Sequence, residues 1–204
     1  MTKNNIVISR YNRNVDWIYK IDNVNILIYD KEKPENELNI PVNKGNEASV
    51  YLKYIIDNYD ILPENTFFIH DEEYSWHHSG SIIEKYNEAI QSNKLYYNIN
   101  DNCIFIYSLY SHKWYFEIMD WYKEYIEEYI PLKSLHTIPK SDWMIGHRGS
   151  AQFLVNKKVI LNLPKEFYEK LYNWIITTDM PNEKSGRFLE YTWHLFWDIY
   201  PNLP

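Results

Sequence analysis

The sequence contains a single cysteine, Cys103, and this scarcity excludes a disulfide within the chain. The neighbours of Cys103 in "NCIFIYSLY" are mostly apolar, so we expect a buried and unreactive thiol. Long apolar runs are also lacking, since none approaches the roughly 18 residues that a membrane-spanning helix requires. The opening "MTKNNIVISRY" is too weakly apolar for a secretory signal and instead predicts a first strand. We therefore expect a cytoplasmic protein in a reducing compartment.

Basic residues are in the minority, with 21 Lys and Arg against 28 Asp and Glu, which gives a formal net charge of −7. Binding to a nucleic-acid backbone requires a basic face, so we expect no nucleic-acid partner. A small anionic ligand in a locally basic pocket is compatible with this charge. Aromatic residues make up 18% of the chain, and they suit sugar rings and nucleobases, although most should fill the core. The 20 tyrosines also fit AT-rich coding DNA, such as that of a large virus.

Strand and helix patterns alternate along the first third of the chain. Runs of β-branched and aromatic residues predict strands over 5–11, 24–31 and 65–71, and helical spacing predicts a helix over 46–62 with Asn46 as its N-cap. This alternation indicates an α/β fold with a mostly parallel central sheet flanked by helices. Further helices are expected over 81–92, 119–130, 165–179 and 186–200, and a strand within 150–164. The chain has no internal repeat, linker or domain boundary, so we predict one domain.

The three predicted strands of the first third all end in polar residues. These ends are Arg10-Tyr11-Asn12, Asp30-Lys31 and His70-Asp71-Glu72. The carboxyl ends of parallel strands meet at one edge of a sheet, and ligands of α/β proteins bind there. The sequence therefore predicts a polar binding site at this edge.

Several blocks of the chain resemble a known family. The blocks are "ISRYN", "NKGNEASVYLKYIIDNYDILPENTFFIH", "SWHH", "AQFLVNKKVI", "FYEKLYNWI" and "SGRFLEYTWHLFW". In this order they are similar to the fungal and viral domain-of-unknown-function family 3431, which itself resembles glycosyltransferases of the GT-A type. The resemblance implies a single GT-A-like domain over 1–204, with a nucleotide-sugar-binding half (1–80) and an acceptor-side half (81–204). It implies transfer of a sugar from a nucleotide-diphosphate donor to a hydroxyl group of a glycan, a protein or a small molecule.

The resemblance places the donor at the strand ends and at the start of the following helix. The candidate residues there are Arg10, Tyr11, Asn12, Asp30, Lys31, Asn43, Asn46 and Glu47. Arg10 or Lys31 could neutralise the diphosphate, Asp30 could accept a hydrogen bond from the ribose or base, and Tyr11 could stack on the base. Backbone N–H groups at the helix start could hold a phosphate. The alternatives are that Asp30 only begins a turn, that Arg10 pairs with a surface acid, and that the residues before the helix only cap it.

The third strand ends in acids where many GT-A enzymes carry Asp-x-Asp, whose carboxylates bind Mn²⁺ or Mg²⁺. His70-Asp71-Glu72 departs from that motif, because Asp71 and Glu72 point to opposite faces of an extended strand. His70 and Glu72 share a face, and imidazole ligation favours Mn²⁺ over Mg²⁺. A further ligand could come from His77, His78 or the distant His194.

Two alternatives need no metal ion at this strand end. In the first, His70, Trp76 and His77 hold the sugar or phosphate through hydrogen bonds and stacking. In the second, the cluster is purely structural.

The stretch "SGRFLEYTWHLFW" predicts ionisable groups on one helix face. Arg187, Glu190, Tyr191 and His194 fall at positions i, i+3, i+4 and i+7. Glu190 could be the base that deprotonates the acceptor hydroxyl, with its pKa tuned by Arg187 and by partial burial. His194 would then bind a metal ion or a phosphate. The alternative is a structural Arg187–Glu190 ion pair.

Five further residues complete the predicted site. Asp179 is a weaker candidate for the base, and Gln152, with Phe153, is expected to line the acceptor side. His147 and Arg148 lie between two glycines and could close over a diphosphate, or they could be ordinary surface residues. Two other function classes stay open: a non-catalytic protein that binds nucleotides or carbohydrates, and a metal-dependent hydrolase.

Overall fold

An open sheet of five strands forms the centre of the described part of the chain. The computed structural model describes residues 4–33, 35–101, 114–137 and 151–202, so Cys103, His147 and Arg148 lie outside the described residues. The strands are β1 (Asn4–Arg10), β2 (Asn25–Asp30), β3 (Asn65–His70), β4 (Tyr96–Asn98) and β5 (Phe153–Asn156). Their order across the sheet is β2-β1-β3-β5-β4.

The direction of the strands changes halfway across the sheet. β1 pairs in parallel with β2 and β3, as the alternating pattern predicts. β5 is antiparallel to both of its neighbours, β3 and β4. The sheet is therefore only partly parallel, and the prediction of a mostly parallel sheet is wrong for its second half. The strand expected within 150–164 is short because the Asn156 side chain accepts a hydrogen bond from Lys158 N (3.0 Å) and starts a helical turn.

Seven α-helical segments lie within the described residues. They are α1 (Ala48–Asn58), α2 (Ile82–Gln91), α3 (Tyr115–Tyr125), α4 (Leu132–Leu135), α5 (Lys157–Ile160), α6 (Lys165–Thr177) and α7 (Asn182–Glu190). Short 3₁₀ segments occupy Asp16–Lys20, Tyr59–Ile61 and Tyr200–Asn202, and a π-helical turn occupies Leu195–Ile199. Among these segments, none combines the length and the apolar character that crossing a membrane demands.

Two helix predictions need correction near the polar edge. The N-cap of α1 is Glu47 and not Asn46, which adopts a left-handed φ of 55°. The helix expected over 186–200 begins at Asn182 and ends at Glu190, and just beyond this end the Thr192 hydroxyl donates to the carbonyls of Phe188 and Leu189. The apolar residues beyond it continue in the π-helical turn.

Both faces of the sheet are covered, because side chains alternate between them along each strand. Val7 of β1 and Phe68 of β3 point into the larger core, which contains buried residues of α1, α3, α6 and α7. Ile6 and Phe67 point to the opposite face, where α2 and the 3₁₀ turn Asp16–Lys20 cover them. The larger core thus fixes α1 and α7 on the same side of the sheet.

The loop that precedes α1 is held tightly between α6 and α7. Gly45 has φ +65°, and a Cβ there would collide with the side chain of Ile175 in α6. On the other side, a Cβ at Gly186 of α7 would lie 2.9 Å from Asn46 Nδ2 and 3.0 Å from Gly45 O. Asn182 adds a hydrogen bond from its Nδ2 to Asn43 O (3.2 Å). The loop therefore has no room to move towards either helix.

We predict that Gly186→Ala destabilises the protein by about 1–3 kcal/mol, although alanine is the better helix former, because the new methyl group must displace backbone atoms of a confined loop. The urea-unfolding midpoint measures this change. Glu183→Ala, at an exposed position in the same helix, is the control and should stay within about 0.5 kcal/mol of the parent. An unchanged midpoint for Gly186→Ala would show that the loop can move away from the methyl group, and would contradict the confinement of the loop.

Candidate functional site

The carboxyl ends of β1, β2 and β3 lie side by side at one edge of the sheet. Arg10 is paired with Asp30 across β1 and β2, and Ser9 with His70 across β1 and β3. β1 stands between the other two strands, so the chain reverses its direction of travel across the sheet here, and such switch points form ligand-binding crevices. The Tyr11 N–H donates to Asp71 Oδ2 (2.6 Å) and ties the ends of β1 and β3 together.

The end of β2 is built around the buried side chain of Asp30. Its Oδ2 lies 3.5 Å from Arg10 Nη1, and its Oδ1 accepts a hydrogen bond from Glu32 N (3.1 Å). The carbonyl of Asp30 also accepts from Lys33 N (3.1 Å). Asp30 thus begins a turn and pairs with Arg10, and both of its carboxylate oxygens already have protein partners.

Lys31 places a partly buried cation beside an exposed aromatic ring. Its Nζ lies 3.4 Å from Asn46 O and 5.7 Å from the ring centre of Tyr11, whose side chain is half exposed. Burial lowers the pKa of Lys31, and the nearby carboxylates of Glu47 and Asp71 act in the opposite direction. An exposed ring next to a cation suits a ligand that combines an aromatic base with phosphate.

Arg13 is a component of the site that the sequence analysis missed. Its Nη1 lies 2.8 Å from Glu72 Oε1 and its Nε lies 3.8 Å from Asp71 Oδ1. The carbonyl of Arg13 accepts a hydrogen bond from Arg10 Nε (2.8 Å), which fixes the turn after β1. The left-handed φ of Asn12 (55°) turns the chain so that Arg13 returns to the sheet edge. The sequence signal for this was an asparagine directly after a strand end.

Two cavities flank the turn that carries Arg13. The first, of about 480 Å³, is lined by Asn12, Arg13, Trp17, Asp71, Glu72 and Tyr74, among others. The second, of about 320 Å³, is lined by Arg10, Arg13, Asn14, Asp16, Tyr19 and Ile28, among others. Both open at the switch point, and Arg13 borders both.

The acidic end of β3, as arranged, is a poor fit for a metal ion. Arg13 holds the carboxylates of Asp71 and Glu72, while His70 Nε2 faces Glu47 Oε2 at 3.7 Å instead. Within the described residues, no group of three or more histidine, cysteine, aspartate or glutamate side chains is placed to hold a metal ion. Metal binding by His70, Asp71, Glu72 and His194 therefore stays a prediction.

Two histidines lie together behind the strand ends. The rings of His70 and His77 meet edge to face with centres 5.6 Å apart, and His77 lies 3.9 Å from the exposed ring of Trp76. Burial lowers the pKa of His70 to about 4, although Asp71 nearby acts to raise it. Burial also lowers the pKa of His77 to about 4. Both imidazoles are therefore neutral at pH 7, and each can accept or donate a hydrogen bond.

Two carboxyl groups, from Glu47 and Glu190, share the inner part of the site. The pKa of Glu190 is raised to about 7, chiefly by burial and then by the charge of Glu47, while Arg187 Nε, 3.3 Å away, acts to lower it. Burial likewise raises the pKa of Glu47, while Lys31 and Arg187 act to lower it. The predicted Arg187–Glu190 contact is present. Glu47, predicted from the sequence as a donor-site residue at the helix start, is a central ionisable group.

Gln152 joins β5 to the histidines. Its Oε1 accepts a hydrogen bond from His70 N (3.1 Å), and its side chain is wholly buried. Its neighbour Phe153 is wholly buried among aromatic rings, 5.1 Å from Trp197 and 5.9 Å from Tyr51. Gln152 thus borders the site, whereas Phe153 belongs to the core.

Two predicted residues have settings other than those expected. His194 lies beyond the end of α7 and is wholly buried. Asp179 is exposed in the connection between α6 and α7. Glu190, which is buried beside two other charged groups, is the stronger candidate for a base.

The raised pKa of Glu190 predicts a specific pH dependence of stability. Between about pH 4.5 and pH 7 the folded state binds more protons than the unfolded state, so the contribution of Glu190 to stability falls as pH rises. Glu190→Gln removes this ionisation, and its melting temperature relative to the parent should rise by about 2 °C or more from about pH 5 to about pH 8. Differential scanning calorimetry measures the shift.

Glu183→Gln is the matched control for this experiment, since Glu183 is exposed in the first turn of the same helix. Its melting temperature relative to the parent should not change across the same pH range. A constant difference for Glu190→Gln would contradict the assignment of a protonated Glu190 in the folded protein.

Comparison with known families accounts for nearly the whole chain. Residues 6–202 match the family described as "Protein of unknown function (DUF3431)". No similarity to a curated protein or to a solved structure was found. The extent of the match confirms the family to which the blocks around Gly45 and in "SWHH" pointed, and the chain belongs to family DUF3431.

Proposed function

We propose that the protein is a nucleotide-sugar-dependent glycosyltransferase with a GT-A-like domain. The observation that carries the proposal is a buried carboxyl, Glu190, whose pKa is raised to about 7 beside Arg187 at the switch point of the sheet. A base tuned near neutral pH is typical of proton transfer in catalysis. The cations Lys31 and Arg13 lie at the neighbouring strand ends, where a diphosphate would bind.

The donor occupies the crevice around the turn after β1. The two cavities on either side of Arg13, of about 480 Å³ and about 320 Å³, lie within or near the size range of small-molecule sites, about 300–1,000 Å³. Tyr11 offers its exposed face to the base, and Lys31 and Arg13 neutralise the diphosphate. For Arg13 to contact the diphosphate, it exchanges its contacts with Asp71 and Glu72 for the ligand.

The reaction transfers one sugar and one proton. The oxygen of the acceptor hydroxyl forms a bond with the anomeric carbon of the donor, and Glu190 takes the hydroxyl proton. The bond between the anomeric carbon and the diphosphate oxygen breaks, and the diphosphate leaves with the electron pair. Lys31 and Arg187 stabilise the charge that develops on the leaving group. His70 and His77, neutral at pH 7, hold hydroxyl groups of the sugar by hydrogen bonds.

Donor binding is the first part of the test. A panel of UDP, GDP and their sugars is added to the protein with and without EDTA, and the melting temperature is recorded. At least one nucleotide should stabilise the parent in EDTA. Lys31→Met should abolish that stabilisation, whereas Lys33→Met, at an exposed position two residues later, should preserve it. Stabilisation that requires Mn²⁺ or Mg²⁺ would support a metal-dependent donor site. It would contradict the role given to Arg13.

Turnover is the second part of the test. With the nucleotide sugar that stabilises the protein and a panel of hydroxyl acceptors, release of nucleoside diphosphate should rise with pH through about 7, as Glu190 ionises. Glu190→Gln should lower kcat by about 10²–10⁴-fold and leave nucleotide binding intact. Binding without turnover would identify a non-catalytic binding protein. Cleavage with water alone as efficient as with every acceptor would identify a hydrolase.

A further inference from the structure

The two cavities on either side of Arg13 differ in the charge of their linings. The first, of about 480 Å³, has the three carboxyl groups of Asp71, Glu72 and Glu73 against the one guanidinium group of Arg13. The second, of about 320 Å³, has two arginines against a single carboxyl group. The second cavity therefore suits the phosphates of a ligand, whereas the first repels an anionic group.

Two carboxylates of the first cavity each keep one oxygen without a protein partner. Glu72 uses Oε1 for Arg13 Nη1 (2.8 Å), and its Oε2 has no hydrogen-bond partner among the described residues. Glu73 Oε1 accepts from Ser81 Oγ (3.0 Å), and Ser81 Oγ accepts from Ile83 N (3.1 Å). This chain of bonds commits the Ser81 hydroxyl proton to Glu73 Oε1. In the described part of the chain, nothing donates to Glu73 Oε2.

The same cavity has hydrogen-bond donors that are equally free. Within the described ranges, the indole N–H of Trp17, the side-chain amide of Asn12 and the hydroxyl of Tyr74 make no hydrogen bond. Trp17 packs against the smaller core, which holds its ring in place, whereas the Tyr74 side chain is 66% exposed. The cavity therefore has one anchored and one solvent-exposed aromatic ring.

A ligand that matches this lining carries several hydroxyl groups. Hydroxyl groups both donate and accept, so they satisfy the free carboxylate oxygens and the free N–H and O–H donors together. An ammonium group only donates and would leave those donors unmatched, and a carboxylate or phosphate would meet the excess of carboxyl groups. The two aromatic rings suit the apolar face of a sugar ring. These properties combine in a saccharide.

We propose that the first cavity binds an uncharged saccharide and rejects saccharides that carry a carboxylate. The binding stands on the free groups and rings of the lining alone. That the saccharide is the sugar of the donor rests on the proposed function, in which the attached diphosphate contacts Arg13 at the border of this cavity. When Arg13 turns to the diphosphate, it releases Asp71 Oδ1 and Glu72 Oε1, which then accept from further sugar hydroxyl groups.

Saccharide binding is tested on the full chain without nucleotide. The probes are the methyl glycosides of glucose, galactose, mannose and N-acetylglucosamine, together with methyl glucuronide and methylammonium. Titration by saturation-transfer NMR gives each Kd. At least one uncharged glycoside should bind, and methyl glucuronide should bind at least about tenfold more weakly, equivalent to about 1.4 kcal/mol.

Two variants assign the binding to this cavity. Tyr74→Ala removes the exposed ring, and Glu73→Gln keeps the oxygen that Ser81 needs but turns the free acceptor into a donor. Each should raise the Kd of the bound glycoside about tenfold. Phe116→Ala removes an exposed aromatic ring of α3 and should leave the Kd unchanged. The melting temperature shows that each variant is folded, and either of the first two decides the question if the other fails to fold.

Three results would each overturn the proposal. The first is that no uncharged glycoside binds at millimolar concentration. The second is that the folded variants Tyr74→Ala and Glu73→Gln bind as tightly as the parent, which would place the saccharide elsewhere. The third is that methyl glucuronide or methylammonium binds more tightly than every uncharged glycoside.

The fate of this inference can be told apart from that of the proposed function. Glycoside binding that depends on Tyr74, without stabilisation by any nucleotide, would keep the saccharide site and remove the transferase. Equal stabilisation by a nucleoside diphosphate and its sugars, with no glycoside binding, would keep the nucleotide site and overturn the saccharide site. Both are supported if a nucleotide sugar stabilises the parent more than its nucleoside diphosphate does, and Tyr74→Ala loses only that difference.

Discussion

The confinement of the loop before α1 between two helices determines where the charged groups meet. Gly45 contacts α6 and Gly186 lets α7 approach so closely that no side chain fits between helix and loop. Glu47 follows this loop directly, and Glu190 ends α7 one turn beyond Gly186. The close packing of Gly45 and Gly186 therefore brings Glu47 and Glu190, from distant parts of the sequence, into one site. Larger side chains at the two glycine positions would move the loop and α7 apart and separate these acids.

Bringing two carboxyl groups together in a largely buried position is costly, because burial and mutual repulsion both oppose their ionisation. The structure offsets the cost with Lys31 and Arg187, each of which acts to lower the pKa of Glu47. It adds no further charge, since burial keeps His70 and His77 neutral at pH 7. The result is a site whose net charge depends on the protonation of these two carboxyl groups.

The sequence predicted the elements made of local signals. The first three strands follow β-branched and aromatic runs, and the polar strand ends meet as expected because parallel strands align their ends. Non-local features were not predictable from one chain. The antiparallel entry of β5 depends on pairing between residues about 90 positions apart. The end of α7 at Glu190 was also not predictable, because the apolar pattern of the sequence continues without a break to Trp197.

The reversed direction of β5 also explains why the histidines have an amide for a neighbour. An antiparallel strand places its first residue at the edge where the strands beside it finish, so Gln152, just before β5, reaches the backbone of His70. A slip of β5 by one residue would exchange every inward and outward side chain and would set the phenyl ring of Phe153 against that N–H. The pairing register of one short strand therefore decides whether this wall of the crevice can recognise a hydroxyl group or only an apolar surface.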